Sequence, residues 1–170
     1  MENSRQEAGL VFDELYRQSR DDLYAYAVGL LRDRGAAEDV TAAAFERAYR
    51  NRHRFDPGRG SARAWLFGIA RNAALDELRR RSRHASLLAE PLDLADPAAL
   101  HRVEQSERRL VLAEALEELA PRERELVALK FFAGLSNAEI ARVLGLSESN
   151  AGTKLHRAIA KLREACHEPA

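Results

Sequence analysis

The chain has 170 residues, 46% hydrophobic and 32% charged, with 27 Lys and Arg balancing 27 Asp and Glu. This suits a folded, helix-rich protein of one ordinary domain or two small ones. No apolar run approaches the roughly 20 residues that cross a bilayer, the opening MENSRQEAG lacks both parts of a signal peptide, and the single cysteine, Cys166, excludes an internal disulfide and a multi-cysteine metal site, so a cytoplasmic protein without membrane contact is expected.

From Leu10 to Leu31 the apolar residues recur at helical spacing, with a break expected near Ser19 to Asp21. Gly35 reads as a C-terminal cap, and a second helix is expected from Ala36 to about His53, burying Val40, Ala44, Phe45, Ala48 and Tyr49. FDPGRGS (55–61) carries Pro57, Gly58 and Gly60 and reads as a loop. Ser61 is placed to cap a further helix whose stripe of Trp65, Leu66, Ile69, Ala73 and Leu75 ends in the basic run RRRSRH. Residues 82–108, with Pro91, Pro97 and several acids, hold no sustained stripe and read as a linker. Helical spacing returns at Leu110, Ala113, Leu116 and Leu119, and Pro121 opens another helix at its first turn. Beta-branched alternation is missing throughout, so the fold expected is all-α. It comprises two small helical domains, 10–84 and 108–166, joined by a flexible linker at 85–107.

The balanced net charge hides segregation. Residues 52–84 carry 9 basic and 3 acidic side chains, 85–126 carry 5 and 10, and 127–170 carry 6 and 4. Two basic elements separated by an acidic one suit two contacts with a polyanion.

The C-terminal stretch LSNAEIARVLGLSESNAGTKLHRAIAKLRE (135–164) has the grammar of a helix-turn-helix. Ser136 and Glu139 have capping-box spacing, Gly145 permits a left-handed turn, Leu146 plugs the angle between helices, and Ser147 caps the second helix. That helix turns Ala151, Leu155, Ala158, Ile159 and Leu162 to one side. Asn150, Thr153, Lys154, Arg157 and Lys161 face outward, a polar and cationic row which with Ser149 at its start is suited to a major groove. A helical hairpin with a solvated basic face carries the same outward row; the small, glycine, apolar and cap residues at 141 and 145–147 favour the helix-turn-helix. Gly152, inside this helix, is unusual, and close backbone approach to DNA would explain it.

Three stretches together resemble the extracytoplasmic-function (ECF) group of bacterial RNA polymerase sigma factors, in the sigma-70 family. They are AEDVTAAAFERAYRNRHRFDP (37–57), ARAWLFGIARNAALDELRRRSR (62–83) and LEELAPRERELVALKFFAGLSNAEIARVLGLSESNAGTKLHRAIAKLRE (116–164). The resemblance implies a region 2 domain at 10–84 that grips the clamp helices of the polymerase β′ subunit and opens the −10 element. It further implies a region 4 domain at 108–166 that holds the β flap tip and reads the −35 element. Glu38, Asp39 and Phe45 would then contact the core polymerase. Arg54, Phe55, Arg59, Ser61, Arg63, Arg71 and Asn72 would meet the −10 element, with a flipped base in the loop 55–61, and Arg79, Arg80, Arg81 and Arg83 the upstream phosphates. An anti-sigma partner is also implied.

Other readings accompany these. Trp65 lies on the apolar stripe and suits a core position as well as a stacking face. The arginine run suits a solvated helix end, and Glu38 and Asp39 a helix N-terminus. Ala42 and Ala43 replace the polar pair common in the family, and Ser149-Asn150-Ala151-Gly152 departs from its frequent Gly-Thr-Val-Lys, so promoter preference does not carry over. The five histidines show no metal spacing and DPGRG lacks the rest of a phosphate loop, so neither an enzyme nor a cofactor or metal is expected. A stand-alone helix-turn-helix regulator would differ in binding DNA without polymerase, and a pure polymerase adaptor in lacking the DNA-facing arginines.

Overall fold

The computed structural model describes residues 2–88 and 115–167, and every regular element among them is helical. In chain order these are α1 (Glu2–Leu31), α2 (Arg34–Arg50), two single 3₁₀ turns (Arg52–Arg54 and Pro57–Arg59), α3 (Ala62–Leu88), a short α4 at residues 115–118, α5 (Pro121–Phe131), α6 (Asn137–Leu144) and α7 (Glu148–His167).

α1 runs unbroken through Ser19 to Asp21, where the sequence suggests a break. The lapse in its apolar stripe is a buried polar position instead: Ser19 is 1% exposed and its hydroxyl accepts a hydrogen bond from Arg63 (3.2 Å). The stop after α1 also differs from expectation. Arg32, not Gly35, takes the left-handed conformation (φ 52°), and Asp33 caps α2 by accepting from the Ala36 amide (2.9 Å). The cap fixes where α2 begins, so Gly35 falls inside its first turn. Tyr49, expected in the core, is 48% exposed near the end of α2.

Ser61 caps α3 as expected, its Oγ accepting from the Ala64 amide (3.1 Å). α3 continues to Leu88, so the arginine run lies within the helix and not at its end, and residues 85–88 of the expected linker are helical. The rest of that linker, with Leu110 and Ala113, lies outside the described residues. Pro121 occupies the first turn of α5, where its missing N–H is not needed.

α1, α2 and α3 pack into an N-terminal bundle. Ala27, Ala36, Ala37, Ala73 and Ala74 line one of its seams with Leu31 and Val40, and their small side chains let the helix axes approach closely. α5, α6 and α7 form the C-terminal bundle around Leu129, Leu135, Ile140, Ala151, Leu155 and Ala158. Where α1 meets α5 and α3 meets α6, one apolar cluster runs through both bundles. Tyr26 and Phe67, both fully buried, stack edge to face within it at 5.5 Å. Burying each such ring contributes about 2–3 kcal/mol.

Candidate nucleic-acid interface and the seam between the bundles

The helix-turn-helix is built from local rules. Ser136 Oγ accepts from the Glu139 amide (3.2 Å) while the Glu139 carboxylate accepts from the Ser136 amide (2.9 Å), closing the capping box. Gly145 ends α6 in the left-handed region (φ 66°), where a Cβ would be strained, and the Leu146 amide returns to the Ala141 carbonyl (2.8 Å). Ser147 then caps α7 through the Asn150 amide (3.2 Å). With Ala151, Leu155 and Ala158 buried, Ser149, Asn150, Thr153, Lys154 and Arg157 are all exposed, as the periodicity requires. Thr153 donates to the Ser149 carbonyl (2.9 Å). Gly152 is turned away from that surface: a Cβ there would meet Asn137 of α6 at 3.6 Å, an ordinary contact.

In the N-terminal bundle, Phe55 and Trp65 face each other across the 54–61 loop at 5.5 Å. Trp65 is half-buried against the core, so it supports the loop and bounds it at once. Arg54, Arg59, Asn72, Arg79, Arg80 and Arg83 are exposed.

Four other candidates are engaged within the protein. Ser61 donates through Oγ (2.5 Å) and its amide (3.3 Å) to Glu139 of α6. Hydrogen bonds from Ser61 and Ser136 outweigh the upward pull of burial and hold the Glu139 carboxyl below the usual carboxylate range. Arg63 is surrounded by acceptors: the carbonyls of Gln18 (3.0 Å), Phe132 (2.9 Å) and Ala133, the Ser19 hydroxyl, and the Asp22 carboxylate (2.5 Å). These match the five N–H groups of a guanidinium, so Arg63 is a structural clamp between α1, α3 and the end of α5. Arg71 pairs with Glu125 of α5 (2.6 Å), which also accepts from the Tyr26 hydroxyl (3.0 Å). Burial, and then the Glu125 charge, push the Tyr26 phenol well above its usual range, so it remains a donor. Arg81, 16% exposed, pairs with Glu77 and with Asp33, the α2 cap, both at 2.9 Å, and locks α3 to α2. The hydrogen bond from Arg80, with that from Arg81 beside it, brings the Glu77 carboxyl down to about 2 despite its partial burial.

Of the polymerase-contact candidates, Glu38 and Asp39 are exposed on α2, but Phe45 is a core residue, 6% exposed and edge-on to Tyr16 at 4.8 Å. The surface aromatics nearby are Tyr16 and Tyr49. In the other bundle Phe131 and Phe132 are exposed at the end of α5. Sequence reasoning also missed that Glu125, Glu139 (read only as a capping-box residue) and Arg142 join the bundles. Arg142 donates to the Arg59 carbonyl and lies against Gly60, so α6 holds the C-terminal end of the 54–61 loop.

Family models for Sigma-70 region 2 and Sigma-70, region 4 match residues 15–84 and 109–162. The RNA polymerase sigma factor CarQ of Myxococcus xanthus is 36% identical over 166 residues, covering 96% of this chain and 94% of CarQ. The ECF RNA polymerase sigma factor SigL of Mycobacterium tuberculosis is 32% identical over 151 residues, covering 88% and 85%. The sigma factor RpoE, solved with the anti-sigma factor NepR from Bartonella quintana, shares the fold (TM-score 0.68, 22% identity, 97% of each chain). CnrH, solved with the cytosolic domain of CnrY, superposes with TM-score 0.64 at 27% identity over 94% of this chain and 92% of CnrH.

Proposed function

Because the chain belongs to the ECF group of the sigma-70 family, and so directs promoter-specific transcription initiation by RNA polymerase, we propose that its two bundles divide the promoter between them. α7 reads the −35 element in the major groove, and the 54–61 loop with the exposed face of α3 opens the −10 element. The observation that carries this reading is the α7 row of Ser149, Asn150, Thr153, Lys154 and Arg157, exposed over a buried Ala-Leu-Ala face and aimed by a doubly capped turn. Arg54, Arg59, Arg79, Arg80 and Arg83 supply phosphate contacts, and the Phe55–Trp65 pair an aromatic wall for an unstacked base. Glu38 and Asp39, with Tyr16 and Tyr49, form the polymerase β′ face, and Phe131 with Phe132 meets the β flap tip. The protein works in the cytoplasm, contributes no catalytic group or cofactor of its own, and is held in check by an anti-sigma partner.

This arrangement requires the bundles to separate. The −35 and −10 elements are nominally about 25 base pairs apart, roughly 85 Å of duplex at about 3.4 Å per step. Bundles packed through one apolar cluster do not span that, and α6 engages Arg59 and Ser61 at the end of the −10 loop while they are packed. Core polymerase therefore binds the open form, and its binding energy offsets the loss of the seam.

The test is titration of the purified chain into core RNA polymerase with a randomised promoter pool. Tight association with initiation at paired −35 and −10 elements is expected. Duplex binding without any polymerase association would make the chain a stand-alone regulator and sink the proposal.

A further inference from the structure

A cavity of about 220 Å³ opens beside the seam, lined by the C-terminal bundle and by Arg71 of α3. Arg71 reaches it from α3, Arg122 from the first turn of α5, and Lys154 and Arg157 from the outward row of α7. Two carboxylates share the lining, but each already has a cation: Glu125 is matched by Arg71 and Glu123 by Lys161, both at 2.6 Å. Among the described residues Arg122 and Arg157 have no ion-pair partner. The remaining wall is apolar, formed by Leu126, Leu144 and Leu146. A lining that combines leucines with guanidinium groups free of ion pairs suits an amphipathic anion. At 220 Å³ the space is below the roughly 300–1,000 Å³ usual for ligand pockets, so it takes one ring system, with anionic groups at the mouth. Arginine is suited to that mouth because its planar fork binds phosphate through paired, charge-assisted hydrogen bonds.

We propose that this cavity binds a small phosphorylated organic anion of the nucleotide class, its ring on the leucine wall and its phosphates on Arg122, Lys154 and Arg157. Arg71 is the one lining residue from the N-terminal bundle, so packing adds the Arg71 wall to a site otherwise built by the C-terminal bundle, and an occupant favours the closed form by whatever contact it gains there. It also takes two α7 cations that the −35 element would otherwise hold. This regulatory half rests on the reading of α7 as the −35 helix; the binding site does not.

Calorimetric titration of the full chain with ATP, and separately with pyrophosphate and with adenosine, tests the site at near-physiological salt. ATP is expected to saturate one site and to bind at least tenfold more tightly than either fragment. Arg122→Glu, at an exposed position where folding is checked by circular dichroism, should weaken ATP at least tenfold. Arg50→Glu, the same charge change on α2 outside the cavity, should leave it within twofold. Absence of saturable ATP binding, or equal losses in both variants, overturns the site. Pyrophosphate binding as tightly as ATP overturns the nucleotide assignment, because the leucine wall would then contribute nothing. ATP that binds without lowering affinity for −35 duplex overturns the regulatory half. Core polymerase association on the same preparation reports the sigma function separately, so a chain that binds polymerase but not ATP refutes this inference alone.

Discussion

Replacing Glu125 with alanine removes the one acceptor that joins Arg71 and Tyr26 to the C-terminal bundle. Glu125 is 7% exposed and the Arg71 side chain 22%, so the pair is largely shielded from water. Breaking a fully buried pair by removing one partner costs about 3–5 kcal/mol. Arg71 retains some access to water, which reduces its share to about 2 kcal/mol, and the orphaned Tyr26 hydroxyl in the core adds about 1 kcal/mol. Arg71 and Tyr26 sit on one bundle and Glu125 on the other, so the total of about 3 kcal/mol falls on the seam and not on either bundle's own fold. It lowers the ratio of closed to open chains about a hundredfold. Small-angle scattering should show the Glu125→Ala chain more extended than the wild type at unchanged helix content. Affinity for core polymerase should rise by up to the factor that closure had cost. Glu125→Gln, which keeps an acceptor for Tyr26, should fall between. A folded Glu125→Ala chain with wild-type scattering and wild-type polymerase affinity would refute the claim that this contact holds the seam shut.

Gly152→Ala should stabilise the chain by about 0.5–1 kcal/mol in thermal unfolding and leave −35 binding unchanged, because the added methyl meets Asn137 at an ordinary 3.6 Å; lost DNA affinity would restore the close-approach explanation. Arg81→Ala should cost about 1–2 kcal/mol of stability through its two clasped carboxylates, whereas exposed Arg83→Ala should stay within about 0.5 kcal/mol and instead lower the salt dependence of promoter binding; similar stabilities for the two would contradict the clasp. Glu77 has its folded pKa lowered from 4.5 to about 2, so its contribution is present above the unfolded value and is lost as pH falls through the folded one. Acid unfolding of Glu77→Gln should therefore converge with wild type towards pH 2 and be weaker by about 1 kcal/mol above pH 5, given how exposed Arg80 is. Charge reversal at Lys154 and Arg157 together should abolish −35-dependent initiation while leaving α7 folded, since both are exposed; retained initiation from a promoter that needs that element would remove the assignment of α7.

The sequence by itself determined the features that depend on neighbours three or four residues away. The Ser136–Glu139 box, Gly145, the Ser147 and Ser61 caps, Pro121 at a helix start and the two faces of α7 all follow from helical periodicity and cap chemistry, and the structure has each in place. Even there a cap overrode a plausible glycine: Asp33 set the start of α2 and left Gly35 within it. Only the tertiary structure decided what the polar residues inside the bundles do. Ser19 looks like a break and Arg63 and Arg71 like free cations, because periodicity states which way a side chain points and not what is packed against it. Tyr26 and its acceptor Glu125 lie 99 residues apart, and Ser61 and Glu139 lie 78 apart. A buried charge is stable only beside its partner, and when that partner is on another helix of another bundle, no local pattern encodes the pairing.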